Sequence, residues 1–334
     1  MKILLRLVGC VVGLMALGLT GALAQSPAAF TIQVLGIFNY PGPGNQTRPQ
    51  KISDKGDVAG IFVDPNGASR GFVRFRNGNF SQPIVDPNDT SNFTEVRGIN
   101  NSRLVCGDYL DSAGAFEGFF LSNLTFTNYV VPDSTTTIVL GVNNVADFAG
   151  SNIPSSTGIQ GAFLNIGGTV TEFVVTDATA TLAYQLNATN QSCGYYIDAS
   201  GVTHGFWRDS DGTINAPIDP VGSTGTILFG NNDSNVMVGR YSDAAGATHG
   251  ILFLPPDQFV VYDFPGATFT SLNGINGRNP PLVVGRFTDP STGIDHGILG
   301  RVVRGSTGVT LPLAPSSAPA QAVPQRTVVT APAY

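Results

Sequence analysis

Thr94-Glu95-Val96-Arg97-Gly98-Ile99 alternates in side-chain character as a strand does and stops at Asn100-Asn101, a turn dipeptide. Leu104 to Leu110 reads as a second strand centred on Gly107, and Asp111-Ser112-Ala113-Gly114 turns it with a closing Gly suited to a left-handed backbone. Phe116 to Leu121 makes a third strand, and Thr125 to Val131 a fourth, stopped by Pro132-Asp133-Ser134. Four short strands joined by tight turns predict one small antiparallel sheet.

That unit recurs along the chain. Gly60, Gly107, Gly150, Gly194, Gly239 and Gly285 stand 43 to 47 residues apart, and each is followed 11 or 12 residues later by Gly71, Gly118, Gly161, Gly205, Gly250 or Gly297. The turn recurs as Asp64-Pro65-Asn66-Gly67, Asp198-Ala199-Ser200-Gly201 and Asp243-Ala244-Ala245-Gly246, with Asp289-Pro290-Ser291-Thr292-Gly293 one residue longer. A period of this length marks a repeat architecture, and a four-stranded unit is the blade of a β-propeller. Six units fit between Thr47 and about Pro312, so the chain is predicted to be an all-β, six-bladed β-propeller of four-stranded repeats of about 45 residues. Pro83 and Pro217 fall in fourth strands, which suits an outermost position because proline cannot donate to a ladder.

Phe38-Asn39-Tyr40-Pro41-Gly42 mirrors the fourth-strand exit Tyr262-Asp263-Phe264-Pro265-Gly266, so the residues before the first unit are expected to supply the strand that closes the ring. Val309 to Leu313 competes for that role. Ahead of the propeller, Lys2 and Arg6, an apolar run from Leu7, and Ala22-Leu23-Ala24 predict a signal peptide over residues 1–24. The expected organisation is therefore signal peptide, propeller over 25–313, and a disordered Ala/Pro-rich tail over 314–334, in a protein exported to the periplasm or beyond the cell.

Only 12% of the 334 residues are charged, and 23 acidic against 17 basic side chains leave a net charge of −6. Nucleic acid and anionic membrane are excluded as favoured partners, and a monomer is expected. Cys106 and Cys193 occupy the slot held elsewhere by Ala59, Ala149, Val238 and Val284, a small apolar core position. They are expected to be unpaired, because equivalent positions two repeats apart lie beyond disulfide reach.

The recurring Gly98-Ile99-Asn100-Asn101, the central glycine, the Asp-to-Gly turn, and Thr203-His204-Gly205-Phe206 or Thr248-His249-Gly250-Ile251 resemble the HAF repeat of secreted bacterial propeller-like proteins. The resemblance covers residues 47 to about 303 and departs in two ways: three units alone carry the histidine, and Gly replaces the family's Ala. It implies an exported bacterial array and no shared catalytic set.

Ser53, Asn100, Asn143, Asn187, Asn231 and Asn276 recur at the end of the first, innermost strand, where a ring converges. Facing the channel mouth, their polar groups would suit a sugar, a water cluster or a weakly held cation; alternatively each side chain starts the following turn. His204, His249 and His296 share one repeat position that diverges from the axis, so no metal site is expected. Arg240 and Arg286, one residue past their second-strand glycines, are candidates for an anion subsite or for plain surface charge. Gly-x-Ser-x-Gly, His-Glu-x-x-His and phosphate-loop motifs do not occur, and no catalytic residue or cofactor is expected. The favoured reading is a secreted, non-enzymatic propeller binding an unidentified glycan or protein. A hydrolase or lyase using Asp108 or Glu117, and a structural matrix component, are the alternatives.

Overall fold

The computed structural model describes residues 30–305, 309–315 and 321–329; the expected signal peptide lies outside them. Its strands fall into six antiparallel sheets arranged as a β-propeller. The innermost strands are Gln46–Ile52, Thr94–Ile99, Ser134–Val142, Ala180–Leu186, Ser223–Asn231 and Thr270–Ile275, numbered here as blades one to six. Blade two shows the full unit, Thr94–Ile99, Val105–Leu110, Phe116–Ser122 and Thr125–Tyr129, each strand paired with the next.

The second-strand glycines exist for a specific reason. In every blade the pairing between inner and second strand slips by one residue opposite that glycine. Val96 pairs with Gly107 and Gly98 with Cys106, leaving Arg97 out of register. The same bulge leaves out Gln50, Leu140, Tyr184, Phe229 and Asn273. A bulge buckles the strand against its neighbour. A Cβ on Gly107 would stand 2.0 Å from the Glu95 carbonyl oxygen, and one on Gly194 would stand 1.9 Å from that of Leu182. Backbone occupies the space a side chain would need, so only glycine fits.

The third-strand glycines serve the packing between blades. A Cβ on Gly71 would lie 2.2 Å from Val96 of blade two, and one on Gly118 would lie 2.6 Å from Val139 of blade three. The neighbouring inner strand therefore nests its aliphatic side chain into the missing volume, and the buried clusters run from blade to blade. Eleven of the twelve glycines hold equivalent places. In blade three Ala162 stands opposite Ser151 where the glycine was expected, because the longer connection 153–160 replaces the Asp-to-Gly turn and moves Gly161 opposite Asn152.

Phe30–Phe38 closes the ring as the outer strand of blade six, paired from Phe30 with Arg304 to Phe38 with Gly297. Val309–Pro312 does not; it adds a fifth strand to blade five. The tail expected to be disordered is corrected over Ala322–Val329, which pairs with the outer strand of blade three, Thr169–Val175. That edge would otherwise be open, and Glu172, with no exposed surface, needs the cation that Arg326 brings. The expected fourth strand of blade one shrinks to two bridges, Arg74 with Phe80 and Gly71 with Ile84, with Pro83 between unable to donate.

Removing the guanidinium over Glu172 leaves a buried carboxylate without its charge partner. Arg326→Ala should lower unfolding stability by about 3 kcal/mol, and adding Glu172→Gln should recover most of it, read as chemical denaturation midpoints. Gly107→Ala should lower the yield of folded protein severely. Gly36→Ala, whose added methyl would meet nothing within 4 Å, should melt within a degree or two of the parent.

Candidate functional site

Three layers of inner-strand residues surround the axis. The outermost is the asparagine ring. Two residues earlier lie Lys51, Gly98, Gly141, Gln185, Gly230 and Gly274, and one residue before those come the bulged positions Gln50, Arg97, Leu140, Tyr184, Phe229 and Asn273.

Ser53, Asn100, Asn143, Asn187 and Asn276 converge as expected, and all are buried. The fifth member is Asn232 and not Asn231, because Asn232 lies at the position equivalent to Asn100 and makes the ring's bonds. Asn100 Nδ2 donates to the Asn143 carbonyl at 3.0 Å, Asn143 to Asn187 at 3.2 Å, and Asn187 to Asn232 at 3.1 Å. Asn232 then donates to Asn276 at 3.2 Å and Asn276 to Ser53 at 3.1 Å. Each amide oxygen meanwhile accepts backbone N–H groups of its own turn, as Asn143 Oδ1 does from Val145 and Asp147. One side chain thus ties its turn and clips its blade to the next. Asn231 instead donates to the Gln191 carbonyl, and its own oxygen is buried without a partner among the described residues. Over this mouth Asp54 accepts from Asn101, Asn144 and the Gly277 N–H at 2.7, 3.0 and 2.7 Å. The cavity beneath holds about 50 Å³, room for one or two waters.

The middle layer is a throat. Four glycines bring the inner strands close, with a Cβ on Gly274 only 2.8 Å from Lys51 Cα. Lys51 and Gln185 fill what remains. Lys51 reaches from blade one to the carbonyls of Phe229 and, at 3.5 Å, Asn273. It has no carboxylate partner among the described residues, and burial lowers its pKa from 10.5 to about 8. Burial likewise pushes the Cys193 thiol up to about 12 and Cys106 higher still; both are free, so neither is poised as a nucleophile.

Past the throat, the bulged side chains line a separate cavity of about 140 Å³: Gln50, Arg97, Tyr184, Phe229 and Asn273, joined by Ser271, Arg240 and Arg286. Arg97 is tied to Asp108 at 2.8 Å and to Glu95. Burial opposes its charge, yet Asp108 and Glu95 hold its pKa above the usual range. Arg286 has Asp295 at 3.5 Å, and its Nε is buried without a partner among the described residues. Arg240 makes no ion pair among the described residues; it lies between the rings of Phe229 and Phe269, 5.5 and 5.4 Å from their centroids. Burial lowers both pKa values, Arg286 to about 10. The two arginines therefore belong to the axial cavity and not to open surface. Sequence reading finds them but misses the bulged set. The signal for that set is position: three residues before the ring asparagine, where the repeat shares no chemistry.

The histidines sit away from the axis. His204 stacks on Tyr196 and bridges Asp219 at 2.6 Å and Asp198 at 3.5 Å; His249 does the same with Tyr241, Asp263 and Asp243. His296 meets Asn39 of the closing strand at 2.7 Å. Each clips the turn between second and third strands to the outer strand or its exit. Among the described residues no group of three or more His, Cys, Asp or Glu is placed to hold a metal.

No family model and no curated protein matches the chain. Among solved structures, selenomethionine-substituted virginiamycin B lyase from Staphylococcus aureus is similar at 11% identity, with 81% of this chain and 99% of that chain covered and a TM-score of 0.43. A likeness at that level carries no argument about activity.

Lys51 generates a pH signature. Below pH 8 both folded and unfolded states carry its proton, and the folded state bears the whole burial penalty; between about 8 and 10.5 only the unfolded state keeps the proton, so stability rises with pH. Lys51→Met should raise stability at pH 7 by roughly 1 to 3 kcal/mol, allowing for the two carbonyls it leaves unbonded, and should flatten the melting profile across that window.

Proposed function

We propose that the chain is an exported, non-enzymatic binding module that takes part of a carbohydrate or protein ligand into the cavity behind the throat. One observation carries this: six inner-strand bulges, built on a shared backbone device, free six chemically different side chains from the ladder, of which Leu140 packs into an apolar cluster. Five of them line a single cavity, with the aromatic faces of Tyr184 and Phe229 beside amides and guanidinium groups. The wall of that cavity is chiefly polar, and convergent polar groups of this kind are what fix a ligand's orientation in a site.

The carboxylates that would favour a hydrolase or lyase are already bonded to other side chains. Asp108 has no exposed surface and accepts from Arg97, and Glu117 accepts from the Tyr109 hydroxyl at 2.5 Å, out along blade two. The asparagine ring, with its amides bonded between blades and Asp54 across its mouth, offers a ligand less than the opposite cavity does. Export rests on the leader-like residues 1–24, and the HAF resemblance is part of the same reading.

Binding of the mature chain to panels of immobilised glycans and peptides, run beside a product-release assay on whatever binds, tests the proposal. The expected result is saturable capture without turnover, weakened about tenfold by Tyr184→Ala in protein that still melts cooperatively. Steady product release, or capture indifferent to Tyr184→Ala, would overturn it.

A further inference from the structure

The cavity behind the throat is built for one kind of chemical group. Around it and at its floor stand five cations, Arg48, Lys51, Arg97, Arg240 and Arg286, against three carboxylates, Glu95, Asp108 and Asp295. Two positive charges are left over in a protein whose net charge is −6. The carboxylates are unevenly shared. Glu95 and Asp108 both serve Arg97, and Asp295 serves Arg48 at 2.7 Å while standing 3.5 Å from Arg286. Arg240 is left without an anion.

Arg240 and Arg286 come from adjacent blades and share one ring: Phe269 lies 5.4 Å from one guanidinium carbon and 4.9 Å from the other. Like charges drawn to one aromatic ring, in a partly dehydrated cavity, repel each other, and an anion shared by the two relieves that repulsion. An aromatic face offsets only part of a buried cation's lost hydration. The Nε of Arg286 is a buried donor with nothing to donate to, and the Arg240 guanidinium makes no hydrogen bond among the described residues. Of the neighbouring polar groups, Ser271 already donates to Asn273 Oδ1, while the Gln50 and Asn273 amides each keep one N–H beyond the bond to the Arg48 or Pro49 carbonyl. A volume of about 140 Å³ corresponds to four or five waters and admits a compact group of four or five heavy atoms, not a whole sugar or peptide.

We infer that this cavity is an oxyanion site, in which Arg240 and Arg286 grip a carboxylate, sulfate or phosphate group of the ligand from two sides. The assignment deepens the binding-module reading and rests on it for the larger ligand, while the anion chemistry stands on the cavity itself. Planar guanidinium groups are suited to this work because their paired N–H donors match two oxygens of such a group at once. Arg97, already held by two acids, then fixes the wall and not the anion.

Calorimetric titration of the full chain with sodium acetate, sulfate and phosphate, at ionic strength held constant with chloride, tests the site and separates the three chemistries. Saturable one-to-one heat is expected with at least one of them. Arg240→Met and Arg286→Met should each weaken it about tenfold or more, with partial recovery in Arg240→Lys and no change in Arg301→Met, an exposed position outside the cavity. Melting curves supply the second measurement. Sulfate and phosphate raise melting temperatures of most proteins by exclusion, so the expected sign is an anion-dependent rise larger in wild type than in Arg240→Met. In chloride alone Arg240→Met should melt at or above wild type. No saturable heat with any anion, Arg240→Met titrating like wild type, or Arg240→Met melting below wild type in chloride would each overturn the assignment. Glycan or peptide capture that survives Arg240→Met unchanged would remove the oxyanion site and leave the binding module standing. Saturable anion heat with no captured macromolecule would do the reverse.

Discussion

The close approach of an inner-strand carbonyl to the second-strand glycine governs this molecule. A side chain at that glycine would drive the two strands apart and straighten the bulge. Because the bulge is kept in all six blades, the inner strands can twist at the same height, and the residue left out of register swings onto the axis. The glycine is thus a structural requirement whose effect is displayed one strand away. It leaves the chemistry of the displayed residue unconstrained, which is why Gln50, Arg97, Leu140, Tyr184, Phe229 and Asn273 share a place and nothing else.

Much of the architecture is legible in the residues, because turns and glycines report backbone geometry directly. The period, the six blades and the closing strand follow from Gly107-type positions and from the mirrored Phe38-Asn39-Tyr40 and Tyr262-Asp263-Phe264. The bulges cannot be read in the same way. A bulge changes the parity of a strand, and Val96-Arg97-Gly98 spells an ordinary alternation until the pairing is known. Asn231 stands in for Asn232 in a sequence reading for the same reason, since a one-residue slip decides which of two adjacent asparagines points inward. Composition alone misjudges the tail: Ala, Pro and Gln hide a strand whose pairing shifts register beside Arg326, whose partner Glu172 lies about half the chain away.

Symmetry in the polar network is equally uneven. The asparagine clip runs unbroken from blade two round to blade one and stops at Ser53, which has no amide to pass to Asn100. That gap falls where blade one also lacks a proper fourth strand. Across the ring from it, the two extra strands lie on blades three and five, so the C-terminal segment reinforces the side of the ring away from its least complete blade.

The closing strand sets a schedule for folding. Phe30 is among the first residues of the propeller to be synthesised, and its partner Arg304 comes 274 residues later. At ribosomal rates of 5 to 20 residues per second that is a delay of roughly 14 to 55 s. Throughout it a strand carrying Val34, Leu35 and Ile37 has no strand to pair with. No blade order shortens that wait, because the ring cannot shut before its last blade exists. A chain of this topology gains from delaying its collapse until its last blade is complete.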